Sequence, residues 1–152
     1  MVGSKLAQIL KTFTPEEFKN FEKFVISPYF NTGRNAEGLY STIKPHYPDF
    51  TAPELDRKLV FKKLYPGEKF NEMKFKNVST ALTRLAEQFM VIERLKAEPI
   101  EFEKMLMKDY FYRENYKAFT GTATSLEKKI DKSPFDRLST FNDKDLITIF
   151  RY

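Results

Sequence analysis

The stretch 55-LDRKLVFKKLYPGEKFNEMKFKNVSTALTRL-85 decides how this chain is read. Its second half begins a seam: Phe75, Val78, Leu82, Leu85, Phe89 and Ile92 recur at alternating steps of three and four residues. That is the spacing of one apolar face on a long helix packed along its length. The seam predicts a helix over about 71–96, roughly 39 Å long at 1.5 Å per residue, with antiparallel neighbours. Its first half predicts another helix, and lysines crowd the break between the two. The reading lies between a helix-turn-helix for nucleic acid and an ordinary packed pair with a basic, solvated surface.

Helix-start signals recur outward from this spine. Thr14-Pro15-Glu16-Glu17 has an N-cap, a proline suited to the first helical position, and a glutamate that completes a capping box. Phe13 and Phe18 stand at the hydrophobic-staple positions around it, and Phe18, Phe21, Phe24 and Val25 form one stripe. Thr51 with Glu54, flanked by Phe50 and Leu55, repeats the pattern, and Phe141-Asn142 with Asp145 and Leu146 is a weaker version. Helices are expected over roughly 4–12, 15–27, 35–44, 52–64, 71–96, 99–118, 122–132 and 143–151. The fold class is all-α: a compact bundle of six to eight helices in a single domain over 1–152. Helix pairs could suggest a tetratricopeptide solenoid, but its 34-residue signature is missing.

Composition narrows the chemistry. The 152 residues hold no Cys, which excludes disulfides, thiolate metal sites and a cysteine nucleophile. His46 is the sole histidine, set between prolines in KPHYPDF, without sequence neighbours for a triad or a multi-histidine metal site; a distant Asp or Ser could still approach it, but it reads as a surface-loop residue. The five glycines are scattered and make no phosphate-cradling motif. Thr120-Gly121-Thr122-Ala123-Thr124-Ser125 before a helix could offer backbone N–H groups to an anion, but reads rather as an N-cap and flexible connection. Acidic neighbours such as Glu16/Glu17 and Glu101/Glu103 are accounted for by caps and solvated faces. The chain reads as no enzyme, with no cofactor, no metal and no evident small-molecule substrate. No secretory leader or membrane-length apolar run is present, so a cytoplasmic protein that does not enter membranes is expected.

The net charge of +5 is concentrated. Residues 57–76 hold seven basic side chains against Glu68 and Glu72, which accounts for the whole excess. Lys58, Lys62, Lys63, Lys74 and Lys76 therefore form the candidate basic contact face. At the other end, DLITIFRY carries apolar residues up to the last position, which is expected of a fragment cut from a longer chain or of a docking surface. Leu146, Ile149, Phe150 and Tyr152 are the candidate protein contacts there, and β-branched Ile147, Thr148 and Ile149 leave a strand open.

The segments LKTFTPEEFKNFEKFVISPYFN and LVFKKLYPGEKFNEMKFKNVSTALTRLAEQFM, above all SPYFN and LYPGEKFN, resemble the N-terminal part of a family of uncharacterised bacterial proteins. Those proteins are longer and predominantly helical, with no established activity. The resemblance covers about the first two thirds of the chain. It implies an all-helical, truncated protein and supplies no catalytic residues. The expected function is a non-catalytic helical protein-interaction or scaffold module, bound to a protein partner or to the remainder of its own chain. The alternative is a nucleic-acid-binding, helix-turn-helix-like domain using 57–76. Against the alternative stand a break longer than the motif's tight turn, an overlong second helix, and two glutamates at the tip.

Overall fold

The structure is a computed structural model and describes residues 4–31 and 35–132, with side chains to 130. Seven α-helices and two short 3₁₀ turns make up its regular structure, and the described residues contain no strand. The helices are α1 (Lys5–Lys11), α2 (Pro15–Val25), α3 (Ala36–Ile43), α4 (Arg57–Leu64), α5 (Glu72–Ala97), α6 (Pro99–Tyr112) and α7 (Tyr116–Lys132). The expected helix over 143–151, with Leu146, Ile149, Phe150 and Tyr152, lies outside the described residues. The chain divides into two compact units, Met1–Ile92 and Glu93–Tyr152, each with its own buried cluster.

In the first unit the α5 seam is the organising element. Phe75, Val78, Leu82, Leu85 and Phe89 are buried, Ala86 joins them, and Ile92 packs at the edge. Asn71 starts the helix by accepting the Lys74 N–H on its side-chain oxygen at 2.9 Å, which occupies one of the N–H groups a helix start leaves unpaired. Phe89 meets three rings of the α2 region: Phe13 at 5.4 Å, Phe21 at 5.4 Å and Phe24 at 5.7 Å between centroids. Tilted and edge-on pairs at these separations add attraction beyond the area they bury. Four of the phenylalanines thus wedge the α2 region against α5.

The capping box at Thr14 forms in full: Glu17 N–H donates to the Thr14 hydroxyl and Thr14 N–H donates to the Glu17 carboxylate at 2.7 Å. The second expected box does not form. Instead of one helix over 52–64, Pro53–Leu55 makes a 3₁₀ turn and α4 begins after Asp56, whose carboxylate accepts from Lys58 N–H and Leu59 N–H. A charged carboxylate receiving two N–H groups is the stronger cap, and it moves the helix start five residues along. Phe50 and Leu55 are still buried, so the apolar half of the signal was sound. Gly38 lets α3 and α4 approach closely, since a Cβ there would lie 3.2 Å from Leu64 Cδ2.

The second unit is built on an α6–α7 hairpin. The expected helix over 99–118 stops at Tyr112. Glu114 adopts a left-handed φ of 56°, its N–H donates to Phe111 O, and Asn115 N–H donates to Tyr110 O. This is a Schellman ending, which uses up carbonyls that would otherwise lack donors. Asn115 then caps α7 by accepting from Ala118 N–H. α7 therefore runs unbroken through Thr120–Ser125, where a flexible connection was expected. Phe119, Ala123, Leu126 and Ile130 bury one face of α7 beside Met107.

Candidate contact surfaces

The break between α4 and α5 is held by the residues that made it look basic. Lys74 donates to both Glu68 oxygens at 2.8 Å and lies 3.8 Å from the Tyr65 ring centroid. Arg57 pairs with Glu72 at 2.8 Å. Phe70 packs edge-on against Phe61 at 5.3 Å, and Gly67 supplies the left-handed φ of 84° that turns the chain. Both glutamates of the tip are thus engaged locally, and two of the seven basic side chains are engaged with them.

The five candidate lysines do not share one surface. On α4, Val60 and Phe61 face the core, so Lys58, Lys62 and Lys63 project outward around exposed Leu59. On α5, Lys74 and Lys76 are two residues apart and so point about 160° apart around the axis. Lys74 is folded onto Tyr65, whereas Lys76 lines a groove of about 750 Å³. The groove runs between the start of α1 (Ser4, Lys5, Leu6), Arg57, and the α5 residues Phe75, Lys76, Ser79, Thr80, Thr83 and Arg84, with Glu72 and Glu87 on its walls. Lys5 and Glu87 pair at 2.6 Å. Lys76 and Arg84 make no ion pair among the described residues. Lys76, Asn77, Thr80 and Arg84 are exposed on the side of α5 away from its buried seam. The α1 neighbours of Lys76, Thr80 and Arg84 could not be read from the sequence, because seventy residues separate them.

A second groove, of about 610 Å³, is apolar and is lined by Tyr29, Phe30, Gln88, Val91, Ile92 and Glu87. The segment SPYFN builds one side of it. Phe30 stacks on Phe24 at 4.0 Å, and the Asn31 side-chain amide donates to Val25 O at 2.8 Å, so the segment is fastened to the end of α2. Tyr29, just before these anchors, is left 82% exposed, and Val91 in the same lining is 59% exposed. Exposed Met90 and Ile26 also belong to this unit. Sequence reasoning singled out neither Tyr29 nor Val91; the available signal was a tyrosine beside a proline, and an apolar residue one step off the α5 seam.

The second unit carries an apolar stripe of its own. Phe102, Met105 and Tyr112 of α6 are exposed and fall within about 80° of one another around the helix axis. On its inner side, Lys129 of α7 forms an ion pair with Glu103.

His46 ends a 3₁₀ turn and is half-buried, and its carbonyl accepts from Phe50 N–H at 2.8 Å. Tyr47 beside it stacks on Phe18 at 4.1 Å and donates its hydroxyl to Phe13 O at 2.7 Å, so KPHYPDF is a strap on the aromatic core. The Tyr47–Pro48 peptide bond is cis. Thr120 and Thr124 bond their hydroxyls back to Tyr116 O and Thr120 O within α7, which leaves no helix start there to receive an anion. Among the described residues, no three His, Asp or Glu side chains are grouped to hold a metal ion, and no helix is long and apolar enough to cross a membrane. No protein-family model, curated protein or solved structure matches this chain.

Proposed function

We propose that the chain is a non-catalytic, cytoplasmic helical module that binds protein, either a separate partner or the remainder of a longer chain of its own. The observation that carries this reading is Tyr29, which stands 82% exposed on the rim of an apolar groove while the two residues that follow it, Phe30 and Asn31, are fastened to α2. A tyrosine presented on a rigid base beside an apolar cleft loses little conformational entropy on contact and buries a large area, which is how interface anchors work. Val91 across the groove and the Phe102, Met105, Tyr112 stripe of the second unit add apolar surface of the kind that marks interaction sites.

The test is retention of partners from cell extract by the full chain and by a Val91→Glu variant. Val91 is more than half exposed, so the variant should melt within a degree or two of the parent. Specific proteins held by the parent and released by the variant are expected. An identical set on both would overturn the assignment of the groove.

A second reading is favoured by one observation: Lys58, Lys62 and Lys63 project from α4 with no ion pair among the described residues. These three could take successive phosphates of a nucleic acid, for which affinity should fall by orders of magnitude between about 50 and 200 mM salt. Fluorescence anisotropy with labelled duplex DNA and single-stranded RNA, repeated with Lys58→Glu, Lys62→Glu, Lys63→Glu, separates the two readings. The protein-binding reading expects no salt-sensitive binding in either case.

A further inference from the structure

We propose that the polar groove between α1 and α5 binds a phosphate group, free or carried by a small organic molecule, with Lys76 and Arg84 as its principal ligands. Four observations converge. The groove, at about 750 Å³, lies in the range of small-molecule sites. Its walls hold four cations against two carboxylates, a surplus of two that matches the charge of about −1.5 to −2 on a phosphate monoester at neutral pH.

Lys76 and Arg84 are already committed to the groove and make no ion pair there, so an anion need not displace a partner from either. Eight residues separate them, about 12 Å along α5, a gap that a long lysine and a long arginine can close from its two ends. Between them Ser79 and Thr80 present hydroxyls with no hydrogen-bond partner among the described residues, whereas Thr83 gives its hydroxyl to Ser79 O at 2.7 Å. Phosphate has more acceptor oxygens than a carboxylate and can take the guanidinium fork, the ammonium and a hydroxyl together.

The remaining cations border the groove in ion pairs. Lys5 and Arg57 are tied to Glu87 and Glu72 on its edges, at 2.6 and 2.8 Å, in exposed pairs of small worth that can exchange toward a bound dianion. Leu6 and Phe75 close its floor and keep the anion at the surface rather than in the core. Lys58, Lys62 and Lys63 are not among the lining residues, so this site is separate from the basic face of α4.

The experiment is an amide-resolved NMR titration of the full chain at constant ionic strength, with inorganic phosphate, phenyl phosphate and neutral phenol. Both phosphates should give saturable shifts concentrated over residues 76–87 and 4–6, and phenol should give none. Tighter binding of phenyl phosphate identifies an organic phosphate as the ligand, and equal binding identifies the free ion. Lys76→Ala and Arg84→Ala should each weaken binding by about tenfold or more, from the loss of a charge-assisted bond. Lys62→Ala should leave it unchanged and serves as the control for diffuse charge. Equal weakening in all three variants, shifts from phenol alone, or no saturable shift at millimolar phosphate would overturn the proposal.

Discussion

Phe21 and Tyr40 show what individual side chains contribute. Phe21 is fully buried and touches Phe13, Tyr40 and Phe89 through its ring. Phe21→Ala should therefore destabilise the first unit by about 3 to 5 kcal/mol, measured by urea unfolding. Tyr40 is equally buried, and its hydroxyl donates to Phe18 O at 3.1 Å. Burial, with a smaller contribution from the negative charge of Glu22, holds its phenol well above the usual tyrosine range. The folded state keeps the Tyr40 proton after the unfolded chain has begun to lose it. Stability is therefore fully present below the unfolded tyrosine pKa, about 10, and falls as pH rises beyond it. Tyr40→Phe should cost about 1 kcal/mol at neutral pH through the lost hydrogen bond, and should lessen the further loss above about pH 10. An unchanged alkaline slope in the variant would contradict this role. At this scale much was readable beforehand: the stripe at Phe18, Phe21, Phe24 and Val25 is buried as its spacing required. Tyr29 was not readable, because its exposure follows from how the side chains of Phe30 and Asn31 fold back onto α2, a packing that the residue types alone do not display.

Among the elements, the two capping boxes give a controlled comparison. Thr14→Ala should cost about 1 kcal/mol, since both bonds of that box are formed. Thr51→Ala should cost almost nothing, while Asp56→Ala should cost about 1 kcal/mol, because Asp56 starts α4. Thermal melts of the three variants check the ranking, and a larger loss at Thr51 than at Asp56 would contradict it. The motif at Thr51 was real as a pattern, yet a better acceptor five residues on won the helix start. The seam of α5 was legible for the opposite reason: six apolar residues in strict alternation leave a long helix as the simplest solution. The α6–α7 corner was hidden because its stop depends on Glu114 in a left-handed conformation, a role that sequence usually marks with Gly or Asn. Gly121 then looked like a break, although the buried series Phe119, Ala123, Leu126 and Ile130 runs straight through it.

For the molecule as a whole, charge and apolar surface carry the functional account. The excess of five positive charges was visible in residues 57–76, but the sequence could not show how it is divided. Arg57 and Lys74 are drawn into local pairs, Lys76 turns into the groove beside α1, and Lys58, Lys62 and Lys63 stay on the outside of α4. Such a division weakens a single phosphate-tracking surface, which needs adjacent cations on one face. On the reading proposed above, the Tyr29–Val91 groove takes a macromolecular partner through apolar contact rather than charge. The measurement that tests this most directly is in-cell photocrosslinking with a diazirine side chain placed at position 91 or at position 62 of the full chain. The account predicts discrete protein adducts from position 91 and none from position 62. Nuclease-sensitive adducts from position 62, with none from position 91, would contradict it.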